Sequence, residues 1–165
     1  MNPTPLTKTV FSSPITFLAF GFGSGLAPKA PGTFGTLAAI PIYWLLSHAP
    51  WWLYIDIVIA AALIGIWICG KASEQLGVHD HSGIVWDEFV GYWLTMFLAP
   101  TGLSWIVIGF LLFRLFDIWK PWPVSWADER LAGGLGVMAD DIIAGLYAFV
   151  VLQALVKVAE LMAWL

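Results

Sequence analysis

Read as apolar against polar positions, the chain divides into five stretches nearly free of charge: residues 34–47, 51–70, 88–99, 103–119 and 141–161. Polar turns, prolines or acidic pairs bound them. A helix needs ~20 residues to cross ~30 Å of hydrocarbon. The second, fourth and fifth stretches have that length or nearly so. The first and third are shorter, and either cross a thinned bilayer or only dip into it. Ahead of them Ser13-Pro14 reads as an N-cap and first helical residue, predicting a short N-terminal helix. The expected fold class is therefore all-α. The chain reads as a compact polytopic membrane protein, a single domain over residues 1–165, with about three to five membrane-embedded helices plus the short N-terminal one.

Composition sharpens this picture. Of 165 residues, 60 % are hydrophobic and only 11 % are charged, against roughly 25 % charged in a typical soluble domain. A globule of this size cannot hide so much apolar surface from water, so the bilayer is the expected solvent. Eleven Trp and four Tyr suit a large area at headgroup level. The single Cys69 excludes an internal disulfide framework and a thiolate zinc site. A net charge of −4 argues against nucleic acid as a partner, and no obligate protein partner is inferred. The N-terminus, with Lys8 its only early cation, does not read as a cleavable signal. If all five stretches cross, Lys8, Lys29, Lys71, Arg114, Lys120 and Arg130 fall on or near one side, and Lys157 on the other. That bias predicts a cytoplasmic N-terminus and cytoplasmic polar loops.

Nearly all acids share that side, several at the edge of an apolar stretch: Asp87-Glu88 and Asp140-Asp141 at two starts, Asp117 near an end, with Arg114 one turn before it. Taken singly, acids at helix starts are ordinary dipole partners, and Arg114–Asp117 is an ordinary ion pair. Together they would converge in one layer, where carboxylates repel each other unless a cation is present. Oxygen ligands without cysteine suit Mg²⁺, or Mn²⁺ as a second choice. Asp87, Glu88, Asp140 and Asp141 are the expected metal ligands. Successive helical residues point ~100° apart, so each pair is expected to give one direct ligand and one acid that holds a water or orients Lys120 or Arg114.

Residues 21–36 alternate glycine and proline before Thr33, Thr36 and an apolar stretch. Amides in such a loop can hold an anion, with Lys29 adding charge; a tight turn is the plainer reading. His79-Asp80-His81 lies in a polar loop, where histidines are commonly just solvated; His81 is the candidate proton donor to a leaving group. Lys120, beside Trp119, either snorkels to headgroups or holds a phosphate. No Gly-x-Ser-x-Gly elbow, Cys-based phosphatase loop or Walker A sequence is present. The remaining pattern favours metal-assisted hydrolysis of a lipid phosphate.

Four segments, GFGSGLAPKAPGTFGTLAAIP, GVHDHSGIVWDEFVGYW, FRLFDIWKPWPVSWAD and GGLGVMADDIIAG, resemble the phosphatidylglycerophosphatase A family in content and order, from about Phe20 to Gly145. The resemblance implies an integral bacterial inner-membrane enzyme, helical and Mg²⁺-dependent. It would convert phosphatidylglycerol phosphate to phosphatidylglycerol and inorganic phosphate. In the roles assigned from the residues themselves, Asp117 is general base or, second, nucleophile, and Arg114, Lys29, Lys120, Thr33 and Thr36 hold phosphate. A lipid-headgroup transferase and a membrane ion carrier using the same acids are the alternatives.

Overall fold

The computed structural model describes residues 6–78 and 81–163. His79 and Asp80 of the polar loop lie outside the described residues. Every regular element among the described residues is helical. Two short helices, α1 (Leu6–Ser12) and α2 (Pro14–Ala19), lead into a 3-10 segment, Gly21–Leu26. The longer helices follow: α3 (Pro31–Leu46), α4 (Trp51–Leu76), α5 (Trp86–Thr95) and α6 (Leu103–Trp119). A short α7 (Val124–Arg130) precedes the long α8 (Gly133–Ala163).

The punctuation is local. Pro14 and Pro31 stand at the first turns of α2 and α3, where a missing N–H costs nothing. Gly77, at φ 68°, ends α4. Its N–H donates to the Glu74 carbonyl at 3.2 Å and that of Val78 to Ser73 at 3.2 Å, the paired bonds that satisfy a helix's last carbonyls. At the end of α6, Lys120 takes the left-handed conformation (φ 46°) before Pro121, which disfavours continued helix in the residue preceding it.

Two boundaries differ from expectation. Asp140-Asp141 does not open the last helix: α8 begins at Gly133, so the pair sits about two turns inside it. The glycines at 133–136 read as a loop because each costs roughly 1 kcal/mol in a helix. Tertiary contact overrides that cost. A Cβ on Gly134 would collide with the Ile66 carbonyl, so the bare backbone lets α8 lie directly on α4. The loop after residue 120 also contains α7, unforeseen because so short a segment follows directly on Pro121 and Pro123.

Helix α8 is the hub, packing on α4, α5, α6 and α7, while α3 packs on α5. Chain direction follows from the contacts. Gly91 and Gly145 touch, Thr95 Oγ1 donates to the Gly91 and Gly145 carbonyls, and Gln153 Nε2 reaches the Phe97 carbonyl, so α5 and α8 run parallel. Tyr92 meets Ile106 while Gly91 meets Phe113, so α6 runs opposite to α5. Helix α4, meeting Trp93 through Tyr54 and Trp86 through Ala61, is also antiparallel to α5. The glycine-rich segment, the loop before α5 and the Lys120 turn thereby gather at one end of the bundle.

Of the three to five membrane-embedded helices expected, two among the described residues have the length and hydropathy to cross: α4 and α8, of 26 and 31 residues. Helix α5, at ten residues, is only about 15 Å long and does not span. Trp44, Trp51, Trp67, Leu103, Ile118 and Trp122 are all more than half exposed. Helices apolar on the outside as well as within suit a lipid surround.

Candidate active site

One close crossing, of α5 on α8, builds the site. Gly91 stands one turn after Asp87, and Gly145 one turn after Asp141. A Cβ on Gly145 would lie 2.5 Å from the Gly91 carbonyl oxygen, and one on Gly91 would lie 2.7 Å from that of Asp141. Helix α5 therefore meets α8 backbone to backbone. Helical side chains lean toward the N-terminus, so the residues one turn earlier project side by side just above the crossing. They are Asp87 and Glu88 from α5 and Asp141 from α8. One carboxylate oxygen from each lies within 4.8 Å of those of the other two.

These carboxylates are short of partners. Asp87 Oδ1, Glu88 Oε2 and Asp141 Oδ2 are buried with no hydrogen bond among the described residues. A buried charged oxygen left unpaired is costly. Burial, and then the neighbouring Asp141 charge, push the Glu88 carboxyl up to about 8. Burial, followed by the Glu88 charge, holds Asp87 well above the usual carboxylate range. Three clustered carboxylates, each with an unpartnered buried oxygen, fit a hard divalent cation, which would supply both the charge and the missing bonds.

Helix α6 brings the countercharge. Arg114 pairs with Asp117 one turn later, and its Nη1 lies 3.9 Å from Glu88 Oε1. Asp117 also adjoins Asp141, so the site holds acids from three helices around one guanidinium. The first turn of α3 closes one wall. A Cβ on Gly32 would strike the Glu88 carboxylate and come within 3.0 Å of Arg114 Nη1. The glycine-proline segment thus reaches the site through the backbone at Gly32.

Asp140 is turned elsewhere. Its Oδ2 accepts from Lys120 Nζ at 2.8 Å, and Lys120 also donates to Asp128 Oδ1 at 2.7 Å. Burial works to lower the Lys120 pKa, but bonds to the two carboxylates outweigh it and raise it above the ordinary lysine value. Of the four acids expected around a metal, three converge and Asp140 holds the lysine. Lys29 is exposed and Thr33 half-buried near the α3 start. Thr36 is buried, and its hydroxyl donates to the Gly32 carbonyl at 2.8 Å. That bond occupies its proton on the scaffold. The His81 ring packs on Phe20, its Nδ1 accepting from the Gly83 N–H at 3.0 Å. None of these neighbours belongs to the acid cluster.

Two participants escaped the sequence reading. Asp128 lies eight residues beyond Lys120, across prolines that deny the spacing any helical meaning. The crossing glycines did leave a signal: Asp-x-x-x-Gly occurs at Asp87–Gly91 and again at Asp141–Gly145.

A family model and two relatives carry the same name, and a third relative carries another. The family model described as Phosphatidylglycerophosphatase A matches residues 17–156. A protein of that name from Escherichia coli is 48% identical over 140 residues, covering 84% of this chain and 81% of its own. Its namesake from Haemophilus influenzae is 43% identical over 153 residues, 92% of this chain and 94% of its own. A Bacteroides thetaiotaomicron protein named as a putative phosphatidylinositol-3-phosphatase is 41% identical, covering 80% and 87% respectively. No solved structure matches the chain.

Proposed function

The chain belongs to the phosphatidylglycerophosphatase A family, and from that premise we propose that it hydrolyses the terminal phosphate of phosphatidylglycerol phosphate at the Asp87–Glu88–Asp141 cluster. Its place is in phospholipid biosynthesis, in the bacterial inner membrane, with the acid-lined end toward the cytoplasm. The observation that carries the reading is the clustering beside Arg114 of three carboxylates, each with a buried oxygen that has no partner.

Asp87, Glu88 and Asp141 would hold Mg²⁺, or Mn²⁺ in its place. Such an ion supplies positive charge beside phosphoryl oxygens and acidifies a bound water. Arg114 offers a planar fork of donors to the phosphate, and Asp117 orients that fork through their ion pair. Water attacks phosphorus as the bond to the glycerol oxygen breaks. The water's proton passes to the Asp117 carboxylate, and the departing alkoxide is protonated from solvent. The lipid's acyl chains stay in the bilayer against the apolar flank of α6, where Leu111, Leu115 and Ile118 are exposed.

Purified chain in mixed micelles should release inorganic phosphate from phosphatidylglycerol phosphate only with a divalent cation. Full turnover after exhaustive chelation would remove the metal from the proposal. Phosphatidylinositol 3-phosphate, suggested by the third relative's name, is the comparison lipid, and faster turnover of it would reassign the substrate. For orientation, cysteines at Ser82 and Ser125 should resist impermeant maleimide in intact cells and react after lysis.

A further inference from the structure

Lys120 is held in an unusual way. Its backbone is left-handed at φ 46°, a conformation that is strained for a residue with a Cβ. That turn sends the side chain back over α8 rather than out to headgroups. There the ammonium sits between two carboxylates of unlike exposure. Asp140, with its side chain 10% exposed, lies on the site side at 2.8 Å; Asp128, at 39%, lies on the solvent side at 2.7 Å. The lysine itself is 30% exposed. An ammonium has three N–H donors, so one remains after both contacts are made.

We propose that Asp128 is a positioning residue for the substrate's phosphate. It holds the Lys120 ammonium at the rim of the acid cluster, so that the third N–H meets an incoming phosphate oxygen. The inference rests on the phosphatase reading above. Without Asp128 the nearest countercharge is Asp140, with the unpaired oxygens of Asp87 and Asp141 behind it. The ammonium would then settle inward, away from the phosphate and onto acids needed for the cation. Because α7 carries Asp128 and packs on α8, that short helix acts as the outer post of the clamp. A purely structural ion pair at this exposure would contribute little and would leave substrate binding unchanged.

The test uses the full chain in mixed micelles with Mg²⁺, with phosphatidylglycerol phosphate as substrate and inorganic phosphate as competitor. Asp128→Asn should raise both the KM for the lipid and the inhibition constant of phosphate about tenfold, the scale of one charge-assisted contact. Turnover at saturation should stay within about threefold of wild type. Asp128→Glu should recover most of the loss. In a Lys120→Met background, Asp128→Asn should shift neither constant further, because Asp128 acts through the lysine. Unchanged constants in folded Asp128→Asn, or an equal shift in the Lys120→Met background, would overturn the proposal. Asp128→Ser makes the same comparison should the Asn variant fail to fold. A wild-type chain inactive on the lipid would instead overturn the phosphatase reading. The thermal shift given by inorganic phosphate, smaller in Asp128→Asn, would then still judge the clamp.

Discussion

The two ends of the bundle treat buried polar groups in opposite ways. At the end away from the acids, Tyr54 donates to the Trp93 carbonyl at 2.6 Å and Trp93 Nε1 to the Ala39 carbonyl at 3.1 Å. Tyr92 reaches the Ile106 carbonyl at 3.3 Å, and Tyr43, Tyr54 and Tyr92 meet edge to face. These three donors are matched, and the aromatic rings pack against one another between α3, α4 and α5. The acid-lined end instead leaves carboxylate oxygens unmatched and crowds like charges together. One end is built for stability. The other gives stability up where a ligand is expected to restore it. Charge alone does not make the difference: Lys157 and Glu160 also pair at 3.0 Å, but in the open at the far end of α8.

The contrast breaks most visibly at Asp141. Asp141→Asn should lower turnover by ~10²-fold or more, the scale of losing one preorganised charge contact. In chelator its thermal midpoint should equal or exceed that of wild type, because one of several repelling charges is gone. A variant that melts lower without metal yet keeps its activity would make this end scaffold after all. Added Mg²⁺ should raise the wild-type midpoint and have less effect on the variant, as expected for a ligand that binds only the folded chain.

Next in size is Gly145→Ala. Its Cβ would meet the Gly91 carbonyl, so α5 and α8 must separate. Overpacking of this kind costs about 1–3 kcal/mol, measured by denaturant or thermal unfolding in detergent. Because the same crossing sets the acid spacing, the Mg²⁺ concentration for half-maximal activity should also rise. Loss of stability with unchanged metal dependence would separate the crossing from the site.

Tyr54→Phe sharpens the comparison from the other end. It removes one matched hydrogen bond and should cost about 1 kcal/mol of stability, with turnover and metal dependence as in wild type. Lys157→Ala should be the smallest change, within about 0.5 kcal/mol, since its ion pair is exposed and screened.

Much of this was legible along the chain. Helical class, the prolines that open helices and the polar ends of the apolar stretches are local properties, set by backbone sterics and by what a short segment can bury. The site's residue types were equally visible, because acids at the edge of apolar stretches stand out wherever they fall. Partnership was not visible. That Asp141 faces Asp87 and Glu88 while its neighbour Asp140 turns to Lys120 depends on the rotation of α8 against α5, set where Gly145 meets Gly91. The helical state of Gly134 depends on α4 lying against it, which no propensity within 133–140 contains. The Asp128 contact depends on how the chain folds back after the left-handed Lys120. The sequence by itself determined the helical class and which acids and cations stand at the ends of the apolar stretches. Only the tertiary structure decided which of them meet, because that is settled by close packing between helices far apart in the chain.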